Sequence, residues 1–247
     1  MSEEMVKQKE KARLEKGPKW EASAVLLTSP NTKTVHFVRH AEATHNEAAK
    51  ELGRIAYQNP DFHDARLTPL GKEQCAKLNQ TLANDGVTGP DIQLVVVSPC
   101  SRATETAILC FQEHVPASVP WLALECLREK TGTHPCDGRR SVTELKLEYG
   151  EKIDYQYMTN DADVYGQKLG KSRETDEMII ARAYEFFEWL CQRPETNVLV
   201  VTHSAFLAVL FNQVVSCNSD LSRWYENCEM RTTQFALVEP NTSLDAS

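Results

Sequence analysis

The sequence predicts an α/β protein of three layers, α/β/α, with a mostly parallel central sheet and helices on both of its faces. Three observations carry this reading. Two short runs, QLVVVSP (93–99) and NVLVVTH (197–203), are apolar through their centres, as strands buried on both faces of a parallel sheet are. Each is followed at once by residues that open a helix. Helical patterns at 67–85, 99–111 and 174–194 alternate with strand patterns, the order that builds β-α-β units.

The elements follow in chain order. Residues 1–22 mix both charge signs without an apolar face and read as a loosely ordered arm. Segments 24–29 and 34–40 are rich in β-branched and aromatic residues and flank a Pro-Asn-Thr turn, so both read as strands. The helix over 67–85 takes Thr68 as its N-cap and Pro69 in its first turn, with Leu70, Gln74, Leu78 and Leu82 at helical spacing. Ser98-Pro99 opens a helix to about Phe111, and 119–125 is a further strand. From 128 to 172 the chain is polar and glycine-rich, with one short helix near 141–149, and reads as an insertion. Its Asp154, Asp161 and Asp163 read as a solvated loop. An amphipathic helix (174–194), a strand (197–203), a helix (204–216) and a last strand (232–239) complete the chain. The expected organisation is therefore an arm at 1–22, one domain at 23–240 and a polar tail at 241–247.

Composition narrows the function. With 27 Lys+Arg against 35 Asp+Glu the formal net charge is −8 over 247 residues, which argues against nucleic-acid and anionic-membrane binding, since both need a positive field. No apolar run approaches the ~20 residues of a membrane span, and the N-terminal residues resemble neither a secretory signal nor a transit peptide. Eight cysteines without a C-x-x-C pair read as reduced thiols, several of them small core residues, and not as a disulfide framework or zinc site. The expectation is a cytoplasmic protein with no nucleic-acid or membrane partner, no metal and no cofactor.

Chemistry concentrates where three strands end: Arg39-His40-Ala41-Glu42-Ala43-Thr44-His45-Asn46, Ser98-Pro99-Cys100-Ser101-Arg102, and Thr202-His203-Ser204. Open α/β sheets bind ligands at such carboxyl ends, where helix N-termini favour anions. Two arginines suit the forked clamping of a phosphate monoester. One neutral imidazole can attack phosphorus while the other, with Asn46, donates to the equatorial oxygens. The leaving group needs a carboxylic acid. Glu42, Glu105, Glu125 and Glu129 are candidates, and Glu129, directly after the 119–125 strand, is the best placed.

This constellation resembles the histidine phosphatase superfamily, of phosphoglycerate-mutase-like fold. Arg39-His40-Ala41-Glu42 is similar to its Arg-His-Gly-Glu signature, with Ala41 replacing glycine. Ser98-Pro99-x-x-Arg102-Ala103-x-x-Thr106-Ala107 matches its second block, Val201-Thr202-His203-Ser204 the third, and Leu67-Thr68-x-x-Gly71-x-x-Gln74 the helix after the first. The resemblance implies His40 as phosphorylated nucleophile, Glu129 as proton donor, and His203 completing the catalytic set. Arg39, Asn46, Arg102 and Ser204 would hold the phosphate. Around the acid the chain reads Arg128-Glu129-Lys130-Thr131-Gly132, unlike the Glu-Arg-x-Tyr-Gly usual in cofactor-dependent mutases. The following stretch, through Ser141, is similar to one in plant, fungal and protist members. Its His134, Arg139 and Arg140 would meet a second anionic group on the substrate. The expectation is a metal-independent phosphatase acting on a small phosphorylated metabolite, with the mutase and a non-catalytic interaction module as alternatives and the oligomeric state open.

Overall fold

The computed structural model describes residues 20–22, 32–85, 91–165 and 172–236. Strand β1 is Trp20–Ala22, β2 Thr32–Arg39, β3 Leu94–Val97, β4 Trp121–Ala123, β5 Asn197–Thr202, β6 Val215–Ser216 and β7 Met230–Ala236. They form one sheet in the order β4-β3-β5-β2-β7-β1-β6. The four strands β4, β3, β5 and β2 pair in parallel, and β7 runs antiparallel to both β2 and β1. The strand expected at 24–29 and the tail at 241–247 lie outside the described residues, as does all of the 1–22 arm except β1.

Helices α1 (Thr44–Leu52), α2 (Pro69–Asp85), α3 (Ser101–Phe111), α4 (Val142–Tyr149), α5 (Asp176–Cys191), α6 (Ser204–Val209) and α7 (Ser219–Ser222) surround the sheet. Alternation along the strands separates two cores. Val35, Phe37, Val96, Val198 and Val200 pack with Phe186, Phe187, Phe206 and Phe211 on one face. Val38, Val97, Leu199 and Val201 pack with Cys75, Ala103, Ala107 and Leu145 on the other. Phe37 presents its ring edge-on to Phe186, Phe211 and Phe235 at centroid distances of 6.4, 5.2 and 6.1 Å. Each such pair adds ~0.5–1.5 kcal/mol beyond its buried area.

Thr68 caps α2 as expected, its hydroxyl accepting from Gly71 N at 3.0 Å. Gly71 is there for proximity: a Cβ would lie 2.1 Å from the carbonyl oxygen of Glu42. The helix expected over 204–216 is shorter. After α6 the chain winds wider over Leu210–Val214 and becomes β6, because Val215 finds a strand partner in Trp20.

The insertion is not a loose loop. Arg128 and Arg139 are buried within it, and the Arg128 guanidinium grips both oxygens of Asp163 at 2.7 Å. Asp163 is thus an internal counter-ion instead of a solvated residue. Asp161 caps the start of α4 through Thr143, N and Oγ1 both at 2.8 Å. Gly132 (φ 137°) lets the insertion pass against its own far end, where a Cβ would meet the Ser172 carbonyl oxygen at 2.4 Å.

Candidate active site

The order β3-β5-β2 brings the three motif-bearing strand ends side by side. Arg39 pairs with Thr202 in register, and His40 N donates to the Thr202 carbonyl at 2.9 Å. His40 and His203 therefore leave neighbouring strands at the same level, with ring centroids 5.1 Å apart. One strand further, Ser98 Oγ lies 2.7 Å from His203 Nε2. Arg102, in the first turn of α3, reaches back so that its Nε donates to His40 Nε2 at 3.3 Å.

The proton on His40 is set by its neighbour. Nδ1 lies 2.7 Å from the Ala41 carbonyl, which can only accept, so Nδ1 carries the hydrogen and Nε2 presents its lone pair. Burial pushes the His40 pKa well below its ordinary value, and the charges of Arg102 and Arg39 push in the same direction. His203 is lowered well below by burial and then by Arg102. The ring is thus kept neutral, as a nucleophile must be.

Beside the His40 ring, Arg39 Nε, His203 Nδ1 and His45 Nδ1 are buried and make no hydrogen bond within the protein. Buried polar groups are otherwise almost always satisfied, so this set fits a multiply charged anion. Arg39 is anchored through Nη1 to the Tyr225 carbonyl at 2.8 Å. Arg102 is anchored through Nη1 to Cys136 O at 2.5 Å and through Nη2 to Asp137 Oδ1 at 3.2 Å. Asn46 accepts from Ala43 N at 3.1 Å, closing the turn into α1, which leaves its NH2 as donor.

Glu129 bridges to the start of α6. Its Oε1 accepts from Ala205 N at 3.2 Å and from Lys130 N at 2.8 Å, and its Oε2 from the Ser204 hydroxyl at 3.4 Å. Ser204 thus touches the acid. The other carboxylates are committed elsewhere: Glu42 to Thr68 and Lys50, Glu105 to Arg66 and Leu67 N, and Glu125 to Arg128 and Arg139.

Two expected substrate contacts are corrected. Arg139 is 2% exposed, and its guanidinium donates to Glu125, to the carbonyls of Arg140 and Asp161, and to those of Asn160 and Ala162. All five of its N–H groups are engaged within the fold. Arg140 pairs with Asp64 at 3.0 Å and Glu148 at 2.8 Å and donates to Ser101 Oγ at 2.9 Å. Its side chain braces the start of α3. The His134 ring lies 5.4 Å from that of Tyr57, and Arg173 Nη1 is 2.8 Å from its Nε2.

Sequence reasoning missed three residues that pack beside this set or beside His134. His45 is buried with its ring 6.1 Å from His40, and its pKa is pushed down to about 2, first by burial and then by Arg102 and Arg39. Its place one residue before Asn46 was the available signal. Tyr57, 5.7 Å from His45, and Arg173 lie in segments that carry no motif.

The chain belongs to the histidine phosphatase superfamily, branch 1, whose model matches residues 35–242. It is 35% identical over 230 residues to a phosphoglycerate mutase-like protein of Arabidopsis thaliana, covering 81% of this chain and 83% of that one. It is 28% identical over 177 residues to a "Probable phosphatase" of Schizosaccharomyces pombe, covering 69% and 74% respectively. Among solved structures, the ecdysone phosphate phosphatase from Bombix mori in complex with tungstate aligns with a TM-score of 0.56 at 18% identity, covering 87% of this chain and 96% of that one. A phosphoglycerate mutase from Bacillus anthracis aligns at 0.55 and 16% identity, covering 85% and 93%. At those identities the two structures share the fold, as the motifs led us to expect. No helix among the described residues is long and apolar enough to cross a membrane.

Proposed function

We propose that this protein is a metal-independent phosphatase that hydrolyses a small phosphomonoester through a phosphohistidine on His40. The observation that carries the reading is that Arg39 Nε, His45 Nδ1 and His203 Nδ1, buried beside the His40 ring, make no hydrogen bond within the protein, while the Ala41 carbonyl holds His40 Nδ1. Nε2 bonds to phosphorus as the P–O bond to the leaving group breaks, and Glu129, as general acid, passes a proton to the leaving oxygen. Water then attacks phosphorus and gives a proton to Glu129. The P–N bond breaks, its electron pair returns to His40, and inorganic phosphate departs. Arg39, Arg102 and His203 hold the equatorial oxygens throughout, with the Asn46 amide assisting. The arginines supply the charge compensation a divalent cation would otherwise provide. Eight free thiols support a reducing compartment such as the cytoplasm.

The test is a rapid quench with a phosphorylated substrate, in the presence and absence of EDTA. Base-stable, acid-labile phosphate on the wild type, absent from His40→Ala, is expected, with a turnover loss of at least ~10⁴-fold, about 5 kcal/mol of barrier. Residual turnover of a few per cent in His40→Ala, or abolition by EDTA with recovery on adding Mg²⁺, an ion the oxygen-poor cysteine cluster does not bind, would overturn the mechanism. The mutase reading draws on the name of the Arabidopsis relative. It predicts poor hydrolysis of simple esters and dependence on a bisphosphorylated primer.

A further inference from the structure

Beneath the candidate active site, three cysteines far apart in the sequence meet. Cys75 comes from α2, Cys110 from the end of α3 and Cys228 from the turn before β7. Their sulfurs all lie within 4.8 Å of one another, and those of Cys110 and Cys228 are 3.7 Å apart. Cys75 and Cys110 are fully buried and Cys228 is 9% exposed. Among the described residues this is the one group of three or more His, Cys, Asp or Glu whose donor atoms converge to ligand spacing.

We propose that Cys75, Cys110 and Cys228 form a binding site for a thiophilic d¹⁰ metal ion held by three sulfurs. Three sulfurs each about 2.3 Å from a central ion stand about 4 Å from one another. The observed spacing therefore needs only small shifts to close on an ion. A disulfide would draw one pair to about 2 Å and leave the third thiol unused. Thiolates without carboxylate or imidazole select Cu(I) or Zn(II) over magnesium and calcium. Binding displaces the thiol protons, so uptake strengthens as pH rises.

The position links the ion to the chemistry above it. Cys228 N donates to the carbonyls of Arg39 at 3.1 Å and His40 at 3.3 Å, and Asn227 Nδ2 donates to His40 O at 3.1 Å. An ion on Cys228 would thus fix the turn that holds the backbone of the nucleophile.

The experiment titrates reduced, chelator-treated full-length protein with Cd²⁺, following thiolate-to-metal charge-transfer absorption. That band distinguishes sulfur ligation from binding to the His40, His45 and His203 imidazoles. Parallel competitions use Cu(I) and Zn²⁺ against chromophoric chelators, and tell which ion is preferred. Saturation at one equivalent is expected, with Cys75, Cys110 and Cys228 protected from alkylation in the wild type. Loss of a ligand in Cys75→Ala or Cys110→Ala should weaken binding by more than the ~10–100-fold that supporting residues alone control, whereas Cys191→Ser should bind like wild type. No band at one equivalent in the wild type, or a band unchanged in Cys110→Ala, overturns the site. None of these readouts uses turnover, so the result is independent of the phosphatase reading.

Discussion

Asp64 and Arg140, 76 positions apart in the chain, meet at 3.0 Å against the first turn of α3. Cys100, the N-cap residue, makes no side-chain cap. Asp64 does that job from a distant loop, accepting from Ser101 N at 2.8 Å and from Ser101 Oγ at 2.5 Å. It holds a φ of 47°, a conformation few side chains adopt. The next residue is Arg102, so this contact aims the arginine that meets His40.

Replacing Asp64 with Ala is expected to lower stability by about 1–2 kcal/mol, the range of a lost cap. It should also reduce kcat. Arg140→Ala should move both in the same direction by less. Denaturant midpoints and kinetics on two unrelated substrates check this, because a bracing role depresses both substrates alike while a direct contact favours one.

Arg139→Ala should act on the fold. It strips the carbonyls of Arg140, Asn160, Asp161 and Ala162 of their donor and leaves Glu125 with one arginine fewer. Breaking a buried ionic network of this kind costs on the order of 3–5 kcal/mol. Calorimetry should register a large drop in Tm, with KM for the remaining folded enzyme unchanged.

Arg102→Ala and His203→Ala should each lower kcat by ~10²–10³, the usual cost of one preorganised donor to a transferring group. Arg102 also holds Cys136 O and Asp137, so its loss should destabilise the protein as well. Single-turnover kinetics separate the two effects, since the catalytic loss persists per folded molecule.

Stability should fall as the solution is acidified below about pH 6.5. His40, His203 and His45 have folded pKa values lowered by burial, so the unfolded chain binds protons there that the native state refuses. Stability then rises with pH through this window and is complete above the unfolded histidine value. Each such histidine contributes up to about 1.4 kcal/mol per pH unit. Urea titrations between pH 5 and 7.5 measure the slope, and His45→Asn should flatten it.

A second anion on the substrate, if recognised, should meet Arg173 and His134. Arg173→Ala is then expected to raise KM for bisphosphorylated or carboxylated substrates with kcat unchanged, and to leave p-nitrophenyl phosphate unaffected, as uniform binding requires. Equal effects on both substrate types would return Arg173 to its local pairing with Asp137 at 3.5 Å.

The parallel strands and the residues at their ends were legible because each is a local pattern: an apolar run, then a polar helix start. Arg39, His40, Arg102 and His203 were named that way, and the strand ends that carry them lie side by side. Arg139 and Arg140 were misread because an arginine in a glycine-rich stretch looks the same whether it faces solvent, a ligand or the carbonyls of a loop some 20 residues away. Their partners, Asp64, Glu125 and the 160–163 turn, are set by tertiary contact. Convergence of Cys75, Cys110 and Cys228 was invisible for the same reason, since spacing along the chain carries no trace of it.

His40 and His203 sit one residue beyond paired positions of two hydrogen-bonded strands, and their separation of 5.1 Å is close to the ~4.8 Å spacing of strands in any sheet. The gauge of the reaction centre is thus a constant of backbone geometry, indifferent to which side chains fill the core. The surrounding loops have no such standard. His134 and Arg173 stand on segments outside the sheet, whose spacing no strand ladder fixes. Under the proposed mechanism, a different leaving group would call for different loops, while the distance between the two imidazoles would stay with the sheet.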